Sequence, residues 1–239
     1  MKMRNDILIN WMKTRALIYF AMIFPALFIW LRLDVSPDPN KKLLYGLCKL
    51  LQISIPLIYW KLNRIEFRLP LNVNWRVFII GLASGLLIAS PIYLSYFFIF
   101  RHSPWLMQTS IFVSARVKSL GLTSRNYFFI YAGILSLIHS GFEEYYWRSF
   151  IFSACRRFYS LRLAMLLSAA AFTLHHIILL DQYVGHSRLL LTGACSIVFL
   201  GGIVWSVVYD ETKSILASWV SHILADVAVM AILFDLSKL

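Results

Sequence analysis

Charge is what this sequence has least of. Charged residues are 14% of the 239 positions, and 11 acidic residues stand against 23 lysines and arginines. Hydrophobic residues reach 60% and the mean hydropathy is +0.71. Soluble domains have about 45–50% apolar residues, so an ordinary soluble globular domain is excluded. The net charge of +12 does not then imply nucleic acid, because basic residues flank membrane spans and set their orientation. Cysteine is scarce. Cys48, Cys155 and Cys195 are odd in number, scattered and set in apolar stretches, with neither a disulfide framework nor ligand spacing. They read as small core residues. There is no His-Glu-x-x-His helix, no internal repeat and no low-complexity tract. The paired broken helices of inverted-repeat transporters are not visible. No cleavable leader is evident either. Lys2, Arg4, Lys13 and Arg15 precede an apolar run that lacks a small-residue cleavage site, so the run is expected to stay as a span.

What is present is long apolar runs. A membrane helix needs about 20 apolar residues. The sequence predicts an all-α polytopic membrane protein with about seven transmembrane helices. They are placed at Ala16–Leu31, Leu43–Trp60, Val77–Phe100, Asn126–Cys155, Leu163–Leu180, Leu189–Tyr209 and Ser214–Phe234. The second is the weakest, since it holds Lys49, Gln52 and Pro56. In the third, Gly81 and Gly85 stand four apart, which permits close helix approach, and Pro91 is expected to kink it. A polar turn is expected at Asp34–Asn40. Arg101–Arg125 reads as an interfacial helix ending in a turn at Gly121. Two parts follow: residues 1–125, the N-terminal transmembrane helices with the interfacial segment, and residues 126–239, a core of four helices. The basic residues are biased toward the side of the N-terminus, which predicts a cytoplasmic N-terminus in a cell (plasma) membrane.

The few ionisable groups in the apolar C-terminal half fall in three places. The first is Ser140-Gly-Phe-Glu-Glu-Tyr-Tyr-Trp-Arg148. A charge at bilayer depth costs about 2.5–3.5 kcal/mol or more, so three together need a reason. On a helix Glu144 and Arg148 share a face at four-residue spacing, whereas Glu143 points about 100° away. The natural division pairs Glu144 with Arg148 and leaves Glu143 free to face a cavity, with His139 one turn before it. The second place is Phe172-Thr-Leu-His-His176, with two histidines in an apolar helix. The third is His222-Ile-Leu-Ala-Asp226, where a histidine and an aspartate share one face. A buried ion network, a core histidine or a local helix-stabilising pair would account for each alone. Together, a carboxylate and two histidines converging from three helices can activate water and stabilise an oxyanion.

These motifs, Glu-Glu-x-x-x-Arg, Phe-x-x-x-His and His-x-x-x-Asp in this order, resemble the CAAX-protease and bacteriocin-processing (CPBP, or Abi) family, which includes the type II CAAX prenyl endopeptidases. The resemblance covers about Asn126–Phe234 and includes the run Phe199–Ser221; the N-terminal half has no specific match. It implies an intramembrane glutamic endopeptidase without a cofactor. In that reading Glu143 is the general base assisted by His176, and Glu144 and Arg148 are the holding pair. His222 and the residue four further on form the oxyanion site. That last position is often Asn in the prenyl proteases and is Asp226 here. An ionised carboxylate cannot donate to an oxyanion, so Asp226 is expected to orient and charge His222, which then donates. The set Glu143, His176, His222 also resembles catalytic zinc sites, which keeps zinc as the lesser alternative. Expected partners are a membrane-associated peptide or protein substrate and the lipid bilayer, with no nucleic acid. Two other functions stay open at this point: a proton- or ion-coupled carrier, and a non-catalytic membrane immunity or scaffold protein. Glu143, His176 and His222 are expected to face one cavity.

Overall fold

The structure, a computed structural model, describes residues 2–32, 39–66, 69–185 and 187–239. Every regular element among the described residues is a helix. Helix α1 (Lys2–Arg32) runs unbroken through Pro25, and α2 is Pro39–Leu62. The turn expected at Asp34–Asn40 lies for the most part outside the described residues. Helix α3 (Trp75–Ser95) starts on Asn74, whose side chain accepts from the Val77 N–H, and after Pro91 its last turn widens into π register at Tyr96–Phe100. The segment read as interfacial forms α4 (Pro104–Ser119), closed by Gly121 at φ +75°. A long helix follows, α5 (residues 125–156), in alternating α and π turns. The last three are α6 (Leu161–Val184), α7 (Arg188–Thr212) and α8 (Ile215–Ser237), each begun by a serine that accepts from the N–H two or three residues on. These serines satisfy donors that a helix start leaves orphaned.

Among the described residues five helices are long and apolar enough to cross a membrane: Met12–Trp30, Trp75–Phe100, Leu161–Val184, Arg188–Thr212 and Ile215–Ser237. The chain thus has the makings of a multi-pass membrane protein. The spans expected at Leu43–Trp60 and Asn126–Cys155 are not among the five. The latter is the helix broken into short α and π pieces, none of which alone reaches span length.

Two glycines set the closest helix contact. A Cβ on Gly81 would lie 2.7 Å from the Ala217 carbonyl oxygen, and one on Gly85 would lie 2.6 Å from Leu224 Cδ1 and 2.9 Å from Ser221 Cα. Helix α3 therefore lies backbone-close to α8, as the Gly81/Gly85 spacing predicts. The start of α8 is stitched to the connector before α3. Ser214 donates to the Asn72 carbonyl and accepts from the Asn72 N–H at 3.0 and 3.1 Å, and the Ile215 N–H meets the Pro70 carbonyl at 2.9 Å. On the other side Gly202 of α7 admits Ala169 of α6, which would be 3.1 Å from a Cβ there.

The aromatic core joins Ile18, Phe24 and Phe28 of α1, Tyr59 of α2, Tyr146, Trp147 and Phe150 of α5, Phe172 of α6 and Trp205 of α7. A second cluster, with Tyr96, Val113, Val117, Phe128 and Met230, closes the opposite end of the bundle. Helix α4 belongs to that end: Val113 is fully buried, and Ser114 donates to the Ser237 carbonyl at 3.1 Å.

Candidate active site

Helix α5 carries the acidic motif on one α turn, Ser140–Glu144, between two π segments, Ile134–His139 and Tyr145–Phe152. A π turn frees carbonyls from the usual ladder, and in a bilayer each would be costly unless another group took it up. Side chains do so here. The Trp219 indole donates to the Leu137 carbonyl at 2.9 Å and Ser140 to the Ser136 carbonyl at 2.5 Å. Ser168 donates to the Trp147 carbonyl at 3.3 Å and Ser153 to the Arg148 carbonyl at 3.0 Å. Gly141 leaves room for the Trp219 ring, which would stand 3.0 Å from a Cβ. The irregular helix is thus held by α6 and α8, the two helices that bring the histidines.

Glu144 is fully buried and bound on one oxygen. Its Oε1 lies 3.1 Å from Arg148 Nη1 and 2.9 Å from His222 Nδ1. The Arg148 guanidinium lies over the rings of Phe172 and Trp205, 4.9 and 5.0 Å from their centroids. These flat apolar faces suit a weakly hydrated planar cation. The i,i+4 pair read from the sequence is therefore present, and it extends to α8 through His222.

Glu143 is surrounded by imidazoles instead. Its Oε1 is 3.2 Å from His175 Nε2 and 3.6 Å from His139 Nε2, and its Oε2 is 3.6 Å from His222 Nε2. It is not free in the sense first expected. The nearest histidine of α6 is His175, which received no role from the sequence. His176 turns its Nδ1 to the Phe172 carbonyl at 3.0 Å, and it still offers a ring nitrogen within 4.8 Å of both Glu143 and His175. Asp226 lies 3.7 Å from His222 Nε2, beyond hydrogen-bond length. The partner that hydrogen-bonds His222 is Glu144.

Aromatic rings that no motif flagged complete the walls. Trp205 stacks on His222 at 4.0 Å between centroids and is itself fixed by its N–H to Ser221 Oγ at 3.0 Å. Trp147 stacks parallel on His175 at 5.3 Å. A cavity of about 580 Å³ opens beside the site between α3, α5 and α8, lined by Tyr93, Phe97, Phe128, Phe129, Ile223 and Val227 among others. Its rim carries Arg101 and Asp235, paired at 3.0 and 3.1 Å, with Tyr96 donating to Asp235 at 2.5 Å. Glu143, His176 and His222 do not line this cavity. Neighbouring α8 residues Ile223 and Val227 form its wall instead.

The fold and site define a class: a helical membrane protein with a buried glutamate held among histidines. Comparison with known families agrees. Residues 125–228, somewhat under half of the chain, match the family model described as type II CAAX prenyl endopeptidase Rce1-like. This is the family that the three motifs resemble, and the match contains all of them. No curated protein and no solved structure gives a significant match.

Proposed function

We propose that this chain is an intramembrane endopeptidase of the glutamic type, in which Glu143 activates water for attack on a peptide bond. The observation that carries the reading is the unequal treatment of two adjacent buried carboxylates. Glu144 is bound by Arg148 and His222. Glu143 faces His175, His139 and His222, all groups that can exchange a proton.

Water held between Glu143 and His176 gives a proton to Glu143 as its oxygen attacks the carbonyl carbon. The leaving amine then takes that proton as the C–N bond breaks. His222 is the oxyanion donor. Its Nδ1–H is directed to Glu144, so it donates from Nε2 as an imidazolium, and Asp226 favours that form by its nearby charge. The family's members act on membrane-associated prenylated proteins, and this supports a substrate tethered in the bilayer next to the apolar cavity. The cleavable class proposed is a membrane-associated peptide of CAAX, sorting-signal or bacteriocin-like type.

A second reading rests on one cluster. Glu143, His175 and His176 offer ligand atoms within 4.8 Å of one another, and a zinc-type ion binds such groups. The His176 Nδ1 contact to a carbonyl is the support a metal-binding imidazole ordinarily has, whereas His175 Nδ1 is buried without a hydrogen-bond partner. If these residues held an ion, it would supply Lewis-acid chemistry at the same place. The experiment is peptide cleavage by the purified protein in lipid vesicles. Glu143→Gln is expected to abolish turnover and a chelator to leave it unchanged. Cleavage that survives the substitution sinks the proposed base. Loss to chelator with recovery on adding zinc replaces the glutamic mechanism by the metal one.

A further inference from the structure

The cavity between α3, α5 and α8 runs lengthwise along the bundle. On α8 its lining begins at Ile223, the residue after His222, and ends at Asp235; on α5 it runs back from Leu137 to Phe128. With a rise of about 1.5 Å per residue, the α8 lining is about 18 Å long. An extended peptide advances about 3.3–3.6 Å per residue, so this length suits about five residues of peptide. At the far rim Tyr96, Arg101 and Asp235 satisfy one another.

One lining group is left over. Ser136 is 3% exposed, and its hydroxyl has no hydrogen-bond partner among the described residues. Other buried helix serines give theirs to a carbonyl three or four residues back, as Ser140, Ser206, Ser218 and Ser237 do. Ser136 sits instead in the π segment Ile134–His139, where those carbonyls are moved from their α-helical places. A buried hydroxyl left unpaired is costly, and such groups call for an explanation. Ser136 lines the cavity toward its end at Leu137 and Ile223. It stands seven residues before Glu143, about 10 Å along the helix, which is about two or three residues of extended chain.

We propose that this cavity is the subsite for an apolar flank of the peptide substrate and that Ser136 is its polar contact. The hydroxyl, turned into the cavity about χ1, hydrogen-bonds a backbone amide about two or three residues from the scissile bond. The ion pair at the rim leaves no unpaired carboxylate or guanidinium there, so the flank is uncharged. The proposal rests on peptide hydrolysis at Glu143. Ser136 binds and places the peptide and takes no part in breaking the bond.

The test uses the full chain in lipid vesicles and a quenched fluorescent peptide with a hydrocarbon tail and a flank of leucine, isoleucine and valine. Wild type and Glu143→Gln judge the underlying reading. A wild type that leaves the peptide whole ends both; a Glu143→Gln protein that cleaves it ends the proposed base, and Ser136 is still judged on KM. Ser136→Ala is expected to raise KM about two- to tenfold, the worth of one neutral hydrogen bond, with kcat little changed. Its melting temperature in detergent should not fall, since alanine removes an unpaired buried polar group; a purely structural serine would lower it. Peptides in which one backbone amide at a time is replaced by an ester locate the partner. At the matching position the ester should raise KM more in wild type than in Ser136→Ala, as a direct pair requires. Gly133→Phe sends a ring into the cavity from a position where a Cβ meets nothing within 4 Å, and should raise KM further without loss of folding. A wild-type KM in Ser136→Ala overturns the contact, and so do ester effects equal in the two proteins at every position. A wild-type KM in Gly133→Phe overturns the cavity as the subsite.

Discussion

Replacing Arg148 by methionine tests how the site is held. Arg148 and Glu144 are 1% and 0% exposed and lie 3.1 Å apart on one face of α5. Methionine keeps much of the side chain's apolar length against Phe172 and Trp205, so the chief loss is the cation. Glu144 is then a buried carboxylate with His222 as its remaining hydrogen-bonding partner. Breaking a buried ion pair from one side costs about 3–5 kcal/mol, because the other charge stays behind. Removing both charges should cost much less. The double variant Arg148→Met with Glu144→Gln still offers His222 an acceptor and leaves no uncompensated ion. A coupling of about 1–3 kcal/mol between the two substitutions is expected. The assay is a double-mutant cycle on unfolding in mild detergent, followed by the fluorescence of the core tryptophans. Activity should fall in every member of the cycle except wild type, since each breaks the Arg148–Glu144 ion pair that fixes the acceptor of His222. A cost under about 1 kcal/mol for Arg148→Met, well below that of an orphaned buried charge, would refute the reasoning. So would a double variant as unstable as the sum of the singles.

Two further outcomes are expected. Gly85→Val puts a side chain where even a Cβ meets Leu224 at 2.6 Å and Ser221 at 2.9 Å. It should cost about 1–3 kcal/mol by overpacking and lower turnover by moving His222, whereas the same change at Gly193, where a Cβ meets nothing within 4 Å, should do neither. A melting curve and the cleavage rate check both. Asp226→Asn should lower kcat/KM less than Glu144→Gln, because Asp226 is 3.7 Å from His222 and Glu144 is 2.9 Å away. The reverse order in the cleavage assay would make Asp226 the main orienting group.

The sequence made the class and the meeting of three helices legible, for physical reasons that hold within one helix. Long apolar runs have few solutions besides membrane helices, and four-residue spacing places Glu144 on Arg148 wherever the helix sits. What lay between helices was not legible. His175 and His176 differ by about 100° around α6, and which one meets Glu143 depends on the rotation of that helix. Packing sets this rotation, through Ala169 against Gly202 and Phe172 beneath Arg148 and Trp205. The same limit applies to His222. Local spacing pointed to Asp226, and a residue of another helix, Glu144, supplies the hydrogen bond. The π turns left no mark in the apolar pattern. The serines and the tryptophan that take up their carbonyls were visible only as polar atoms in apolar helices. Trp205 received no role from the sequence because its partners come from α8.

The site holds three carboxylates, Glu143, Glu144 and Asp226, and one permanent cation, Arg148. Arginine does not give up its proton in a protein, so the carboxylate it touches faces a fixed positive charge. Arg148 touches Glu144. The remaining balance falls to the histidines, whose charge is variable, and they gather on Glu143: three imidazole nitrogens stand between 3.2 and 3.6 Å from its oxygens. The adjacent glutamates are chemically alike in sequence and differ by which kind of cation each faces. In the proposed mechanism the fixed cation makes Glu144 the anchor and the titratable groups make Glu143 the base. This division follows from the π-flanked turn of α5, which points one carboxylate along its own helix toward Arg148 and the other toward α6. Exchanging the two environments, with Glu143 retained, should therefore remove activity without removing either carboxylate.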